Sequence, residues 1–215
     1  MLVHDLPTDP QTDMDIVYLR DDTEKDLVGS DPHQESIHTV HQGVKRVGQK
    51  RCFPWHVSNQ LVVLMGKISS KDWRLSPDIF VHTTAGPEPL TSFNVAAHGV
   101  PEFVIEVASQ SSREYDLELK RRMYGRVGVH EYLVYDPTSE YLGTQVRAWR
   151  ATPRDFAPWM PETNGRWHSR VLDLSFRPEG LLLRVFDCDG SLVPTFDEQE
   201  RRIAELEAKL RSLTP

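Results

Sequence analysis

Cysteine is nearly absent from this chain, which has two in 215 residues. Cys52 and Cys188 lie far apart and form no Cys-x-x-Cys pair, so a disulfide framework and a cysteine-rich zinc site are excluded. Such cysteine usage is typical of a reducing compartment, and we predict a cytoplasmic location. Long apolar runs are also missing, since LVVLM at 61–65 falls far short of the roughly 18 residues of a membrane span. The opening residues, MLVHDLPTDP, lack the basic and apolar segments of a signal peptide.

Basic residues are scarce only at the start of the chain. The net charge is −7, from 32 acidic and 25 basic residues. Residues 1–32 contain nine of the acids and two of the bases, which leaves 23 of each in the rest. Overall charge therefore neither supports nor excludes a nucleic-acid substrate. We expect residues 1–29 to be an acidic, flexible leader, unless the apolar patch at 16–19 adds a strand at the edge of the domain.

Residues 30–137 alternate between the hydrophobic periods of helices and strands. From Ser30 onward, apolar residues at positions 37, 40, 44 and 47 mark one face of a helix. QLVVLM, PDIFV and EFVIEVAS then predict three strands, with a polar connecting stretch, GKISSKDWRLS, after the first. A helix over 111–128, ending at Gly125 or Gly128, leads to a fourth strand, HEYLVYDP. This order predicts a mixed α/β domain whose central mixed sheet is flanked by helices.

The remaining chain changes pattern twice. Residues 138–193 contain three strand-like segments, TQVRAWR, WHSRVLDLSFR and GLLLRVFD. They predict a β-rich extension of the same domain, which then spans residues 30–193. Residues 194–215 predict a terminal amphipathic helix. Its heptad seam, interrupted only by Gln199, consists of Phe196, Ile203, Leu206, Leu210 and Leu213. A seam this short needs a partner surface, which is either a second copy, giving a homodimer, or the helix's own domain.

One carboxylate lies inside a strand that should be fully buried. FVIEVA places Glu106 between β-branched and aromatic neighbours, where an ionised carboxylate costs several kcal/mol unless it is paired, protonated or bound to a metal. A salt bridge to a buried Arg or Lys is the structural alternative. Asp78 supplies a second carboxylate where the preceding strand begins, although an Asp after Pro is often only a turn residue. Two carboxylates on adjacent strands can hold one hard cation such as Mg²⁺.

The following helix adds polar groups at a regular spacing. Asp116, Lys120 and Tyr124 stand at i, i+4 and i+8 and therefore share one face. A lysine directed at a metal site can orient the attacking water or stabilise charge that develops on phosphorus. The alternative is an ordinary Asp–Lys pair on a solvated helix face.

These segments together resemble a known family. SPDIFV, followed by PEFVIEVASQSSREYDLELKRRMYGRVGVHEYLVYDP, is similar to the Uma-two family of restriction endonucleases, a branch of the PD-(D/E)XK nuclease superfamily. The shared elements are a PD at a strand start, an E-V-x-S strand end, a D-x-x-x-K-x-x-x-Y helix and a G-V-x-E-Y strand that ends in D-P. They occur in order over 76–137, and DPHQESI at 31–37 resembles the family's first helix.

The resemblance implies a role for each matching residue. Asp78 and Glu106 would be metal ligands, Lys120 the catalytic lysine, Glu35 an outer ligand, and Asp116 and Tyr124 supporting residues. The superfamily's lysine two positions after the strand glutamate is replaced by Ala at position 108. In the Uma-type branch this lysine lies on the helix, and Lys120 matches it.

Two functions remain open at the level of the sequence. The first is a DNA endonuclease that depends on Mg²⁺ or Mn²⁺ and hydrolyses phosphodiester bonds, which the Asp, Glu and Lys set favours. The second is a non-catalytic nucleic-acid-binding or assembly protein that keeps the nuclease fold, which the neutral body and acidic leader favour.

Overall fold

The computed structural model describes residues 31–68, 71–153 and 156–213. The leader at 1–29, and with it the alternative strand at 16–19, lies outside the described residues. In chain order the elements are α1 (Asp31–Lys50), β1 (His56–Asn59), β2 (Val63–Ile68), β3 (Lys71–Leu75), β4 (Ile79–His82), β5 (Phe93–Asn94), α2 (Val95–His98), β6 (Phe103–Val107), a π-helix (Tyr115–Lys120), α3 (Arg121–Val127), β7 (Glu131–Tyr135), β8 (Val146–Ala151), β9 (Phe156–Pro158), β10 (Trp167–Ser169), β11 (Leu174–Glu179), β12 (Leu182–Phe186) and α4 (Phe196–Leu213).

A six-stranded sheet in the order β1-β4-β6-β7-β8-β9 forms the centre of the protein. β6 and β7 run parallel and are joined by the π-helix and α3, while the other neighbouring pairs run antiparallel. The crossover is long because parallel strands cannot be joined by a tight turn. The predicted mixed α/β class with a central mixed sheet, flanking helices and a terminal helix is confirmed.

The central sheet is covered on both faces, as the uniformly buried strands β6 and β7 require. Phe103, Ile105 and Val107 of β6 pack in one hydrophobic cluster with α1, β11 and β12. Val104 packs in a second cluster with α3 on the opposite face. Because side chains alternate along a strand, Glu106 projects to the same face as Val104.

The predicted β-rich extension contributes to two sheets. β8 and β9 continue the central sheet, whereas β10, β11 and β12 form a separate three-stranded sheet. α1 approaches β12 so closely that a Cβ atom at Gly43 would lie 3.0 Å from Val185. The extension therefore shares its core with the rest of the domain.

Two sequence-based assignments are wrong. The stretch GKISSKDWRLS, predicted as a polar connection, contains the end of β2 and all of β3, which form an antiparallel hairpin beside the short β5. WHSRVLDLSFR, predicted as one strand, is split into β10 and β11 by a turn in which Asp173 adopts φ 52°. The pattern of apolar residues gives no sign of the turn at 170–173, because Val171 and Leu172 continue the apolar run while Asp173 adopts the left-handed conformation that Asp tolerates.

The helix that follows β6 also differs from a regular α-helix. Its first part, Tyr115–Lys120, is a π-helix, and α3 continues it to Val127. Of the two predicted end points, Gly128 is the one observed, with φ 99° and a hydrogen bond from its N–H to the Tyr124 carbonyl. No helix in the three described ranges is long and apolar enough to cross a membrane.

Candidate active site

Asp78 and Glu106 are brought together by strand pairing. β4 and β6 are antiparallel neighbours, with Ile79 opposite Ile105. The Val107 N–H donates to Asp78 Oδ2 at 2.8 Å, and the Asp78 N–H donates to Glu106 Oε2 at 3.2 Å. Each carboxylate is thus held by the backbone of the other's strand. The prediction that the two lie on adjacent strands is confirmed.

Lys120 completes a compact group of charges. Its Nζ lies 3.0 Å from Glu106 Oε2 and 2.9 Å from Asp116 Oδ1. The side chains of Glu106 and Asp116 are each 1% exposed, that of Lys120 is 12% exposed and that of Asp78 is 17% exposed. The site therefore reaches solvent at Asp78 and Lys120. The salt bridge from Glu106 to a lysine, which was the structural alternative, is present, but Asp116 contacts the same ammonium group and the charge of Asp78 also acts on it.

The π-helix gives Asp116 and Lys120 their positions. Tyr132 on β7 donates a 2.9 Å hydrogen bond from its hydroxyl to the Asp116 carbonyl, which fixes this turn to the sheet. Single-turn π segments are rare and are frequently found at functional sites. Both side-chain oxygens of Asp116 are buried and have no well-aligned hydrogen bond to a described residue, so the contact with Lys120 is an ion pair. A buried carboxylate with so few partners is costly to maintain for stability alone.

Tyr124 lies one turn beyond Lys120 and orients Glu106. Its hydroxyl donates to Glu106 Oε1 at 2.6 Å, while Lys120 contacts the other oxygen, Oε2. The Tyr124 ring packs on Tyr132 with 5.0 Å between centroids. Asp116, Lys120 and Tyr124 therefore meet the carboxylates from one helix face, as their spacing predicts.

Burial and mutual repulsion perturb the acids of the site. Burial, together with the charges of Asp78 and Asp116, raises the pKa of Glu106 to about 8. Burial also raises the pKa of Asp78 to about 6, with Asp116 adding to the rise. The expected upward shift for Glu106 is confirmed in direction. Burial alone would lower the pKa of Lys120, but the three neighbouring carboxyl groups outweigh it and raise that pKa above its usual value.

His33 belongs to this site, although no role was predicted for it from the sequence. Its Nε2 lies 2.9 Å from the Val107 carbonyl and 3.8 Å from Asp78 Oδ2. Burial lowers its pKa, so the ring is neutral near pH 7 and the proton on Nε2 is donated to the Val107 carbonyl. The signal that could have identified it is its place in the DPHQ opening of α1.

Glu35 is not brought to the same point. It is exposed on α1 and makes no hydrogen bond or ion pair with a described residue. Residues two apart on a helix do not face each other, so Glu35 points away from the side that carries His33. Its proposed role as an outer ligand has no supporting contact.

A second buried glutamate shows what a purely structural arrangement looks like. Glu131 begins β7 and is 1% exposed, like Glu106. It accepts hydrogen bonds from Arg150 Nε at 2.8 Å, from the Ser169 hydroxyl at 2.5 Å and from the Arg170 N–H at 3.0 Å. Glu131 is therefore saturated with donors, and no second acidic side chain of the described residues forms an ion pair with Arg150.

The donors around Glu106 suit one type of cation. Across the described residues, no set of three or more His, Cys, Asp or Glu side chains has the arrangement of a metal centre. Two carboxylates and an excess of negative charge nevertheless fit Mg²⁺, which is bound through one or two carboxylates and keeps several waters. Mn²⁺ accepts the same oxygen ligands. A cation that needs a closed cage of nitrogen or sulfur ligands does not fit.

Comparison with known proteins agrees with the motifs. Residues 13–154 match the Uma2 family, whose description is "Putative restriction endonuclease". Among solved structures, the chain is similar to one described as "a putative nuclease belonging to DUF820 from Anabaena variabilis ATCC 29413", with 16% sequence identity and a TM-score of 0.46. That similarity covers 60% of this chain and 66% of the other, just under two thirds of its length. No curated protein matches the chain. Because the family match covers well over half of the chain, this protein belongs to the Uma2 family of restriction-endonuclease-like proteins.

Proposed function

We propose that this protein is a DNA endonuclease that uses Mg²⁺ or Mn²⁺ to hydrolyse phosphodiester bonds. The observation that supports it best is the position of Lys120, within 3.0 Å of Glu106 in a site that Asp78 also reaches. A structural salt bridge needs one carboxylate for one lysine. Here Glu106 and Asp116 share it and Asp78 adds a third carboxyl group to the same site, so a divalent cation would neutralise the excess negative charge.

Asp78 and Glu106 are the residues that would hold the ion. When bound, such an ion polarises the phosphate and increases the acidity of a bound water. Tyr124 would keep Glu106 in its orientation through the hydrogen bond to Oε1, and the β4 and β6 backbone would do the same for both carboxylates. Positioning by fixed groups of this kind reduces the reorganisation needed during the reaction.

Lys120 acts as a cation and not as a general base. Its raised pKa keeps it protonated at neutral pH, so it has no free electron pair with which to accept a proton from water. It can donate hydrogen bonds to the attacking water or to a phosphate oxygen as negative charge develops there. Asp116 would position it through the 2.9 Å ion pair.

The alternative is a non-catalytic nucleic-acid-binding or assembly protein with the same fold. It is favoured by the neutral body, whose 23 acids and 23 bases provide no general attraction for a polyanion. The two functions differ in turnover, which can be measured directly.

Plasmid cleavage provides the test. We expect the purified protein to nick or linearise supercoiled DNA with Mg²⁺ or Mn²⁺ and to lose this activity with EDTA. Glu106→Gln should abolish cutting while the fold survives, and Lys120→Ala should lower the rate by about 100-fold or more. Matched controls are Glu114→Gln and Lys50→Ala, whose side chains are 84% and 71% exposed.

Metal binding gives a measurement independent of cleavage. Titration calorimetry with Mn²⁺ alone should show one site in the parent protein and the Glu114→Gln control, and none in Glu106→Gln. Metal binding without cleavage would favour the non-catalytic alternative. Cleavage that is equal in the parent, Glu106→Gln and Lys120→Ala would show that a contaminating nuclease cuts the DNA.

A further inference from the structure

Among the described residues, the contacts between the C-terminal helix α4 and the domain lie at the beginning of the helix. Thr195 and Glu198 form a reciprocal cap, in which the Thr195 N–H donates to Glu198 Oε2 at 2.8 Å and the Glu198 N–H donates to the Thr195 hydroxyl at 3.3 Å. Arg184 on β12 donates to Glu198 Oε2 at 2.6 Å. From Glu200 to Ser212, by contrast, every residue is exposed. The cap therefore directs the rest of the helix away from the domain surface.

The exposed part of α4 carries a row of large apolar side chains. Phe196, Ile203 and Leu206 are 57%, 55% and 49% exposed. An isolated helix of 18 residues is marginally stable in water, and most helical stability in proteins comes from packing of the apolar face. An unburied apolar row of this kind is typical of an interaction surface. Of the two partner surfaces expected from the sequence, the described part of its own domain leaves Phe196, Ile203 and Leu206 uncovered.

We propose that α4 pairs in parallel with α4 of a second copy of this chain as a short two-stranded coiled coil. In the heptad register, the a positions are Phe196, Ile203 and Leu210 and the d positions are Gln199, Leu206 and Leu213. The central pair, Ile203 at a and Leu206 at d, is the combination that favours parallel dimers over higher oligomers.

The flanking charges select the second copy as the partner and fix its direction. Both e positions are acidic, Glu200 and Glu207, and both g positions are basic, Arg202 and Lys209. In a parallel pair, Arg202 lies beside Glu207 of the second copy, and the two-fold axis repeats this contact. An antiparallel pair would bring g against g and e against e, which places like charges together. The same sequence therefore attracts itself in parallel and repels itself in the opposite direction.

The parallel direction has a consequence for the catalytic domains. A two-fold axis along the coil places both domains at the same end of it, because each is attached to the N-terminal end of its α4. The pairing itself does not depend on the proposed function. If that function is correct, the dimer presents two hydrolytic sites to one duplex, one for each strand.

Sedimentation of the full-length chain over a concentration series, without DNA or metal, tests the pairing. We expect a reversible dimer that Leu206→Glu weakens by at least about 100-fold, since two buried leucines are lost. The matched control is Ala208→Glu, which adds the same charge at the f position on the outer face and should leave the dimer intact. A parent protein that is monomeric throughout, or a Leu206→Glu variant that dimerises as well as the parent, would refute the proposal.

A charge exchange and a cross-link test whether the two α4 helices pair in parallel. Arg202→Glu or Glu207→Arg alone should weaken the dimer about tenfold, and the double exchange should restore it. Leu213→Cys, in a Cys52→Ser, Cys188→Ser background, should form a disulfide-linked dimer on oxidation, because only the parallel direction brings the two 213 positions together. A dimer that fails to cross-link, or single exchanges that strengthen it, would exclude the parallel arrangement.

Discussion

The hydroxyl of Tyr124 donates a 2.6 Å hydrogen bond to Glu106 across the interface between α3 and β6. This contact joins the two elements that carry the candidate catalytic groups. It also favours the ionised form of Glu106 and so opposes the rise in pKa that burial imposes on that carboxyl group.

Tyr124→Phe should therefore weaken both the fold and the site. We expect a loss of about 2 kcal/mol in the free energy of unfolding, because a buried acceptor loses its donor. Mn²⁺ affinity at neutral pH should also fall, since the metal binds the ionised carboxylate. Urea unfolding and titration calorimetry measure the two effects.

Tyr135→Phe is the control for that experiment. Tyr135 is as deeply buried, but its hydroxyl has no hydrogen-bond partner among the described residues. Removing it should leave stability unchanged or slightly increased, and Mn²⁺ binding unaltered. Equal losses in the two variants would mean that the Tyr124 hydroxyl contributes only through packing.

The two buried glutamates should respond in opposite ways to the same substitution. Glu131→Gln breaks a saturated ion pair with Arg150 and should cost about 3 kcal/mol of stability, with cleavage per folded molecule unchanged. Glu106→Gln removes one of three competing carboxyl groups, so stability should hold while cleavage is lost. Denaturant unfolding and plasmid cleavage, measured on both variants, give the comparison. If Glu131→Gln instead abolishes cleavage at full stability, the assignment of the site to Glu106 is wrong.

His41 should make stability depend on pH. Burial lowers its pKa below 6.5, with the charges of Lys45 and His38 adding to the effect, while the Val57 carbonyl opposes it. Between the lowered pKa and 6.5, the unfolded chain binds more protons than the folded chain, so the free energy of unfolding decreases as pH falls through this window. His41→Gln should reduce the difference between urea midpoints at pH 7.5 and pH 5.5. His130→Gln, which replaces an exposed histidine on another segment, is the control. An unchanged difference in His41→Gln would refute the prediction.

Deletion of residues 1–29 should raise DNA affinity, with the largest gain at low salt. The first 32 residues contain nine acids and two bases, and a negatively charged leader beside a DNA-binding domain repels the polyanion. Fluorescence anisotropy with a labelled duplex at two salt concentrations measures the change.

Thermal melting of the same deletion distinguishes the two expectations for the leader. A flexible leader leaves the midpoint unchanged when it is removed. A clear drop in midpoint would instead show that the patch at 16–19 packs as a strand, and an affinity gain that does not depend on salt would exclude the electrostatic explanation.

The parts of the site that lie close together in the sequence could be predicted from it. The spacing of Asp116, Lys120 and Tyr124 places them on one helix face whatever the protein around them, because helical periodicity is a local property. The FVIEV run likewise predicts a buried strand with an acid inside it. The order of helices and strands was sufficient for the fold class.

Contacts between distant segments could not be predicted in the same way. Glu106 and Glu131 both occupy buried strands. Only the folded protein shows that Arg150 and Ser169 saturate Glu131, whereas Glu106 shares Lys120 with Asp116. His33 joins the site because the first turn of α1 lies beside Val107, 74 residues away in the chain. The π-helix at 115–120 also has no signature in the helical spacing.

The sequence by itself determined the mixed α/β class, the acid inside β6, the helix face that carries Lys120 and the heptad of α4, since each depends on the period of neighbouring residues. The tertiary structure decided which buried glutamate shares its cation with a second carboxylate, that His33 reaches the site while Glu35 points away, and that Phe196, Ile203 and Leu206 of α4 stay exposed. These depend on how distant segments pack, because burial and charge pairing at a residue are set by groups that the chain brings together only when it folds.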